Sequence, residues 1–213
     1  IHSTPITIEK PVFMHDFAVT EKYSLFLNFP ITLDVERAMA GGPALGFEPE
    51  HGSRIGVVPR FGTDSDVRWF EVETGSVVHT ANAWEEGDEV VLQASRSKTS
   101  DIASAGLDAD NLEETQGQLY EWRINLISGA VTERTLSAVR CDFTRVNDSY
   151  ACQKTRYIYG AVFNPVRPFS FDGVMKFDNK TQTTTKFDYG PNRFGGEAVF
   201  APKVGAMTED DGY

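Results

Sequence analysis

The sequence predicts an all-β domain. Helical periodicity is nearly absent, whereas short runs rich in Val, Ile, Phe, Tyr and Thr recur with Gly, Pro, Asn and Asp between them. The length, 213 residues with 40% hydrophobic content, is enough for one β domain, or two small ones, with a real core.

The first predicted strand, 12–20, places Val12, Phe13, Phe17 and Val19 among polar residues, and the second, 23–29, follows directly. A loop at 38–50, marked by Gly41, Gly42, Pro43, Gly46 and Pro49, leads to strands at 53–60, 67–73, 76–81 and 89–95. A polar, acidic loop at 97–117 precedes strands at 119–126, 130–137, 154–163, 171–177, 183–189 and 197–201. Hairpin turn chemistry stands at Glu73-Thr74-Gly75, at Ile127-Ser128-Gly129 and at Phe177-Asp178-Asn179-Lys180. About a dozen strands at this spacing make about three four-stranded propeller blades, or a β-sandwich. No strict repeat period decides between the two.

A net charge of -11 argues against nucleic acid as a partner, because phosphate binding needs clustered Lys and Arg. The acidity reads as solubility. No stretch approaches the ~20 apolar residues of a membrane span, and no basic region followed by an apolar run is present, so neither a signal peptide nor an anchor is expected. Cys141 and Cys152 flank a turn at Asn147-Asp148-Ser149. Two cysteines in a chain of this size favour reduced thiols and a cell interior, cytoplasm or plastid, with a hairpin disulfide as the alternative.

Of four histidines, His2 and His51 lie in terminal and turn-like settings. His15 and His79 each interrupt an apolar strand, where a buried ring must find a partner or cost roughly 1–3 kcal/mol. Structural burial is one reading of each and metal ligation the other, since neutral imidazole is the commonest ligand for Fe and Zn. Neither belongs to a short metal motif, and two ligands alone are too few for firm binding. No nucleophile elbow, phosphate loop or dinucleotide fingerprint occurs, and no acidic pair stands out for glycoside hydrolysis.

Taken together, the motifs resemble the carotenoid cleavage dioxygenase family, which includes stilbene-cleaving dioxygenases and a retinoid isomerase. Met14-His15-Asp16-Phe17-Ala18-Val19-Thr20 is similar to the family's Met-His-Asp-Phe-Ala-Ile-Thr, and His79-Thr80-Ala81-Asn82-Ala83-Trp84-Glu85-Glu86 to its His-x-x-Asn-Ala-Trp-Glu-Glu. Three further segments, 54–60, 154–160 and 194–202, resemble family strands in the same order.

The resemblance implies a seven-bladed β-propeller with a non-haem Fe(II) on its axis, held by four histidines, three of them oriented by acids. His15 and His79 resemble two of the ligands. Glu197 resembles one orienting acid and Asp142 another, although many relatives carry Glu where Asp142 stands, and the shorter acid would reach its histidine through water or not at all. The whole chain, 1–213, would be the central three to four blades, with N- and C-terminal blades and two ligands outside it. The implied reaction adds O2 across a conjugated C=C bond of an apolar polyene, a carotenoid or apocarotenoid, giving two carbonyl products. Phe17, Phe61 and Trp84 are candidates to line the substrate tunnel, with core packing as the alternative. Met39, Leu45 and Phe47 fall where relatives meet the membrane, with an ordinary interblade loop as the alternative. Stilbene cleavage, isomerisation on the same iron, and a metal-free propeller binding module are the competing functions.

Overall fold

A computed structural model describes residues 1–100 and 111–213 of the chain. Three four-stranded antiparallel blades follow one another along the sequence. The first is ordered β1 (Ala18–Val19), β2 (Tyr23–Asn28), β5 (Ser53–Pro59) and β6 (Arg68–Val72). Between β2 and β5 the chain inserts a hairpin of β3 (Ile31–Leu33) and β4 (Leu45–Phe47), which brackets a short helix, α1 (Val35–Met39). Asp34 caps that helix by accepting from the Arg37 N–H.

The remaining strands form one continuous seven-stranded ladder that divides at a bend. β7 (Ser76–Glu86), β8 (Glu89–Ser97) and β9 (Gln118–Asn125) make the second blade with the first half of β10 (Val131–Arg145). The other end of β10 crosses to become the inner strand of the third blade, paired through Cys141 and Asp142 with β11 (Tyr157–Phe163), then β12 (Phe171–Asp178) and β13 (Thr183–Asp188). Register shifts between Thr135 and Arg140 allow the turn from one blade to the next. A sandwich is thereby excluded, and the all-β propeller reading holds.

Blades pack face to face. In β8, residues Val90 to Arg96 are buried without a break because a blade covers each side of this strand. Val90, Leu92 and Ala94 join Trp122 and Ile124 against Leu25, Leu27, Ile55 and Val57 of the first blade. On the opposite side Gln93 and Ser95 face the third blade, where Leu119 packs with Cys141, Ile158, Met175 and Phe177. The alternation that marked these runs as strands is therefore the alternation between two neighbours.

Several expectations are corrected. Within 12–20 only Ala18–Val19 joins a ladder, because residues 11–13 run instead beside β3, with the Phe13 N–H donating to Ile31. The run at 197–201 forms no strand: Gly195 and Pro202 make isolated bridges, and two glycines and a proline interrupt any ladder. Glu73-Thr74-Gly75 is not a hairpin but the crossover from the outer strand of one blade to the inner strand of the next. The 38–50 loop contains the end of α1, β4 and a short 3-10 turn, and the 97–117 loop contains a further helix, α2 (Leu112–Thr115), with its 101–110 portion outside the described residues. Both cysteines are free thiols, and no helix among the described residues is long and apolar enough to cross a membrane.

Candidate metal centre

The inner strands of the three blades bring the two motif histidines together. The His15 and His79 ring centroids lie 5.1 Å apart, nearly perpendicular at 85°. His15 sits in the extended segment before β1, exposed rather than buried, and stacks on Phe13 at 5.6 Å. His79 is half-buried on β7 where the register shifts between Val77 and Thr80, a bulge that re-aims its ring out of the ladder.

Asp142 reaches His79 directly: its Oδ1 lies 3.1 Å from Nδ1. The shorter acid therefore needs no intervening water. A second bulge, between Asp142 and Arg145, accompanies this contact, and Phe143 adopts a left-handed φ of 50°. For a bulky side chain that backbone costs about 1–3 kcal/mol. It is held by the Phe143 N–H donating to Asp142 at 2.8 Å and by the Phe143 ring, which lies 4.6 Å from His79 and 5.2 Å from Phe171. With Nδ1–H donating to the carboxylate, Nε2 keeps its lone pair for a metal.

Burial lowers the His79 pKa, but the hydrogen bond and charge of Asp142, joined by Asp16 and Glu197, outweigh it and leave the ring more basic than usual. Three carboxylates thus act on His79, a field suited to a divalent cation. Glu197 does not touch either histidine. Its Oε1 accepts from Arg145, with Nε at 2.6 Å and Nη2 in a shorter contact. Among the described residues no group of three or more His, Cys, Asp or Glu is placed to hold a metal. The donor chemistry fits a divalent ion, and the number of ligands is half of what the resemblance implies.

Beside His79 and Asp142 opens a cavity of about 150 Å³ walled by Phe143, Phe163, Phe169 and Phe171. The three aromatic residues expected to line a tunnel are dispersed. Phe17 stands 52% exposed, 6.0 Å from Phe26. Phe61 is 80% exposed against His2, and Trp84 is buried. Met39, 85% exposed, ends α1 beside exposed Val35 and Leu33, while Leu45 and Phe47 are half-buried in the β3–β4 hairpin. Phe143, Arg145, Asp16 and Thr80 were not singled out in the sequence. The usable signal was adjacency: Asp16 and Thr80 each follow a histidine, and Phe143 follows Asp142.

The family model described as retinal pigment epithelial membrane protein matches residues 1–213. The chain belongs to this family, the carotenoid oxygenases. It is 38% identical over 227 aligned positions to a carotenoid 9,10(9',10')-cleavage dioxygenase of Crocus sativus, covering 98% of this chain and 41% of the relative. The lignostilbene dioxygenase of Pseudomonas brassicacearum superposes with a TM-score of 0.83 at 29% identity, covering 94% of this chain and 45% of that one. A cobalt-substituted apocarotenoid oxygenase of Synechocystis gives 0.83 at 28% identity, covering 94% and 43%. The chain thus spans about two fifths of the length of these proteins.

Proposed function

We propose that this chain supplies three adjacent blades of an Fe(II)-dependent dioxygenase that cleaves a conjugated C=C bond of a carotenoid or apocarotenoid into two carbonyl products. The observation that carries the reading is the convergence of His15 and His79, the latter backed by Asp142, where inner strands of consecutive blades meet. Family membership, the reaction named for the Crocus relative and the cobalt held by the Synechocystis structure support it.

His15 and His79 would hold the iron through neutral nitrogens, with two further ligands from residues outside 1–213. Bound Fe(II) supplies the centre at which O2 becomes reactive toward the double bond. Asp142 fixes the tautomer and ring angle of His79. Glu197, parked on Arg145, is available to orient a histidine from outside the chain. The four phenylalanines of the cavity offer an apolar wall for a polyene beside His79 and Asp142, while Ser76, Ser95 and Gln116 line its polar part. Phe17, exposed two residues after His15, is a further candidate for the tunnel wall, whereas buried Trp84 and Phe61, which packs beside His2, do not line this cavity. Met39, with Leu45 and Phe47 behind it, would dip into the bilayer that stores such a substrate.

The test uses the full-length protein carrying this sequence. Incubation with iron, O2 and a carotenoid or a stilbene should yield paired aldehydes or ketones. His15→Ala and His79→Ala should each abolish iron retention. A rearranged alcohol without carbonyl products would favour isomerisation, and unchanged iron content in both variants would sink the metal assignment.

A further inference from the structure

The two histidines stand on different blades, and no backbone ladder joins β1 to β7. Packing and side-chain bonds must therefore set their separation. Asp16, next to His15, accepts from the Phe17 N–H at 2.8 Å with one carboxylate oxygen. With the other it crosses the blade boundary, accepting from the Thr80 N–H at 2.9 Å and from the Thr80 hydroxyl at 2.7 Å. Thr80 follows His79 as Asp16 follows His15, so this clasp fixes an offset of 64 residues, the same that separates the histidines. Further along the same pair of strands Glu85 accepts from the Thr20 hydroxyl at 2.5 Å and from the Lys22 N–H at 2.9 Å.

We propose that Asp16 is a positioning residue for the metal centre: clasped on Thr80, it sets the distance and angle between the His15 and His79 rings, and with them the affinity and geometry of the bound ion. The inference rests on the reading that the two histidines share a metal. All three bonds need an acceptor-only side chain of this length, because two donors approach one oxygen and a third approaches the other. In Asp16→Asn the amide nitrogen must face either the Phe17 N–H or the Thr80 donors, and one side of the clasp opens.

The experiment titrates the full-length apoprotein with Co(II), read by its visible ligand-field absorption, alongside thermal unfolding. Wild type should bind with a saturable spectrum. Asp16→Asn should weaken Co(II) binding about 10–100-fold and change the band positions or intensities. Glu85→Gln, which loosens the far clasp, should lower the thermal midpoint with Co(II) affinity and spectrum unchanged. A wild type that binds no Co(II) would overturn the metal reading and this proposal together. A wild type that binds, with Asp16→Asn matching its affinity and spectrum, would overturn the clasp alone. Should Asp16→Asn fail to fold, Thr80→Val removes only the hydroxyl bond and is expected to weaken binding in the same direction by a smaller factor, so unchanged binding there counts against the proposal equally.

Discussion

The two blade boundaries are built differently. Between the first and second blades no strand is shared. What joins them is an apolar core of fifteen buried residues, in which Phe29 meets Trp122 edge-on at 6.3 Å, together with the Arg96 guanidinium gripping the crossover carbonyl of Thr74 at 2.8 Å. Between the second and third blades β10 runs through, the apolar cluster shrinks to seven buried residues, and buried polar pairs fill the remainder. Gln93 and Asn179 exchange two hydrogen bonds, Ser95 donates to the Cys141 carbonyl at 2.7 Å, and Asn82 donates to Gln153 at 2.7 Å. Each boundary aligns one pair at the centre. The first spaces His15 from His79 by packing and side-chain bonds, while at the second β10, shared by both blades, carries Asp142 on its bulge to within 3.1 Å of His79 on β7. The first alignment is therefore the more sensitive to substitution, and the second the more rigid.

The strongest way to break the first boundary is Trp122→Ala. The side chain is fully buried, and its indole N–H donates to Glu133 at 2.9 Å, so truncation leaves a large void and removes that hydrogen bond. A loss of about 3–5 kcal/mol is expected in urea unfolding. A loss below about 1 kcal/mol would mean that the blades are held together elsewhere. Next in size, Asp142→Asn tests the second boundary. The isosteric amide keeps the strand path but replaces the carboxylate that receives the His79 Nδ1–H, and metal affinity should fall about 10–100-fold while the unfolding midpoint changes little. Equal losses of stability and affinity would contradict the separation of roles.

Most strands were legible through a buried face that repeats every second residue, as in Leu25 and Leu27 or Met175 and Phe177, whereas β13 buries none of its residues. What composition could not show was that both sides of β8 are buried, with Gln93 and Ser95 covered by the third blade. His15 was expected within a strand, with burial as one of its two readings. It is exposed in an irregular segment, because Asp16 turns the local chain by accepting the Phe17 N–H. Within the site, the pairing of His79 with Asp142 came from resemblance, not from spacing: the two are far apart in sequence and meet through a bulge whose left-handed Phe143 no local pattern announces. The clasp between Asp16 and Thr80 was hidden for the same reason. Both are small polar residues whose partners lie across a blade boundary.

A smaller effect sharpens the polar side of the second boundary. In Gln93→Ala, the half-buried Asn179 amide loses both of its bonds to Gln93, and Glu121 loses its donor at 2.8 Å. Asn179 keeps its bond to the Thr155 carbonyl at 3.1 Å, and Glu121 keeps its ion pair with Arg134 at 2.9 Å. The expected cost is about 1–3 kcal/mol, measured by chemical unfolding. Replacement of both partners, Gln93→Leu with Asn179→Leu, should recover part of it, because no buried amide is then left unpaired; an additive double loss would show that the pair is not a closed unit.

The smallest effect concerns the carboxylates that help moor the segment after β13 to the third blade. Asp210 accepts from the Tyr159 hydroxyl at 2.5 Å and pairs with the Lys176 ammonium in a shorter contact, while Glu209 accepts from the Tyr157 N–H at 2.8 Å. Burial raises the Asp210 pKa, but the bonds from Lys176 and Tyr159 outweigh it, so the folded value lies below the ordinary 3.8. A depressed carboxyl stabilises the fold fully above its unfolded pKa, and that contribution is lost as pH falls through the folded value. The pair is partly exposed and screened, so the contribution is under about 1 kcal/mol. Asp210→Asn should lower the thermal midpoint slightly at pH 7 and hardly at all in acid, where wild type has already lost the interaction. An Asn variant whose deficit persists unchanged into acid would show that Asp210 acts through shape and hydrogen bonding, with its charge contributing nothing.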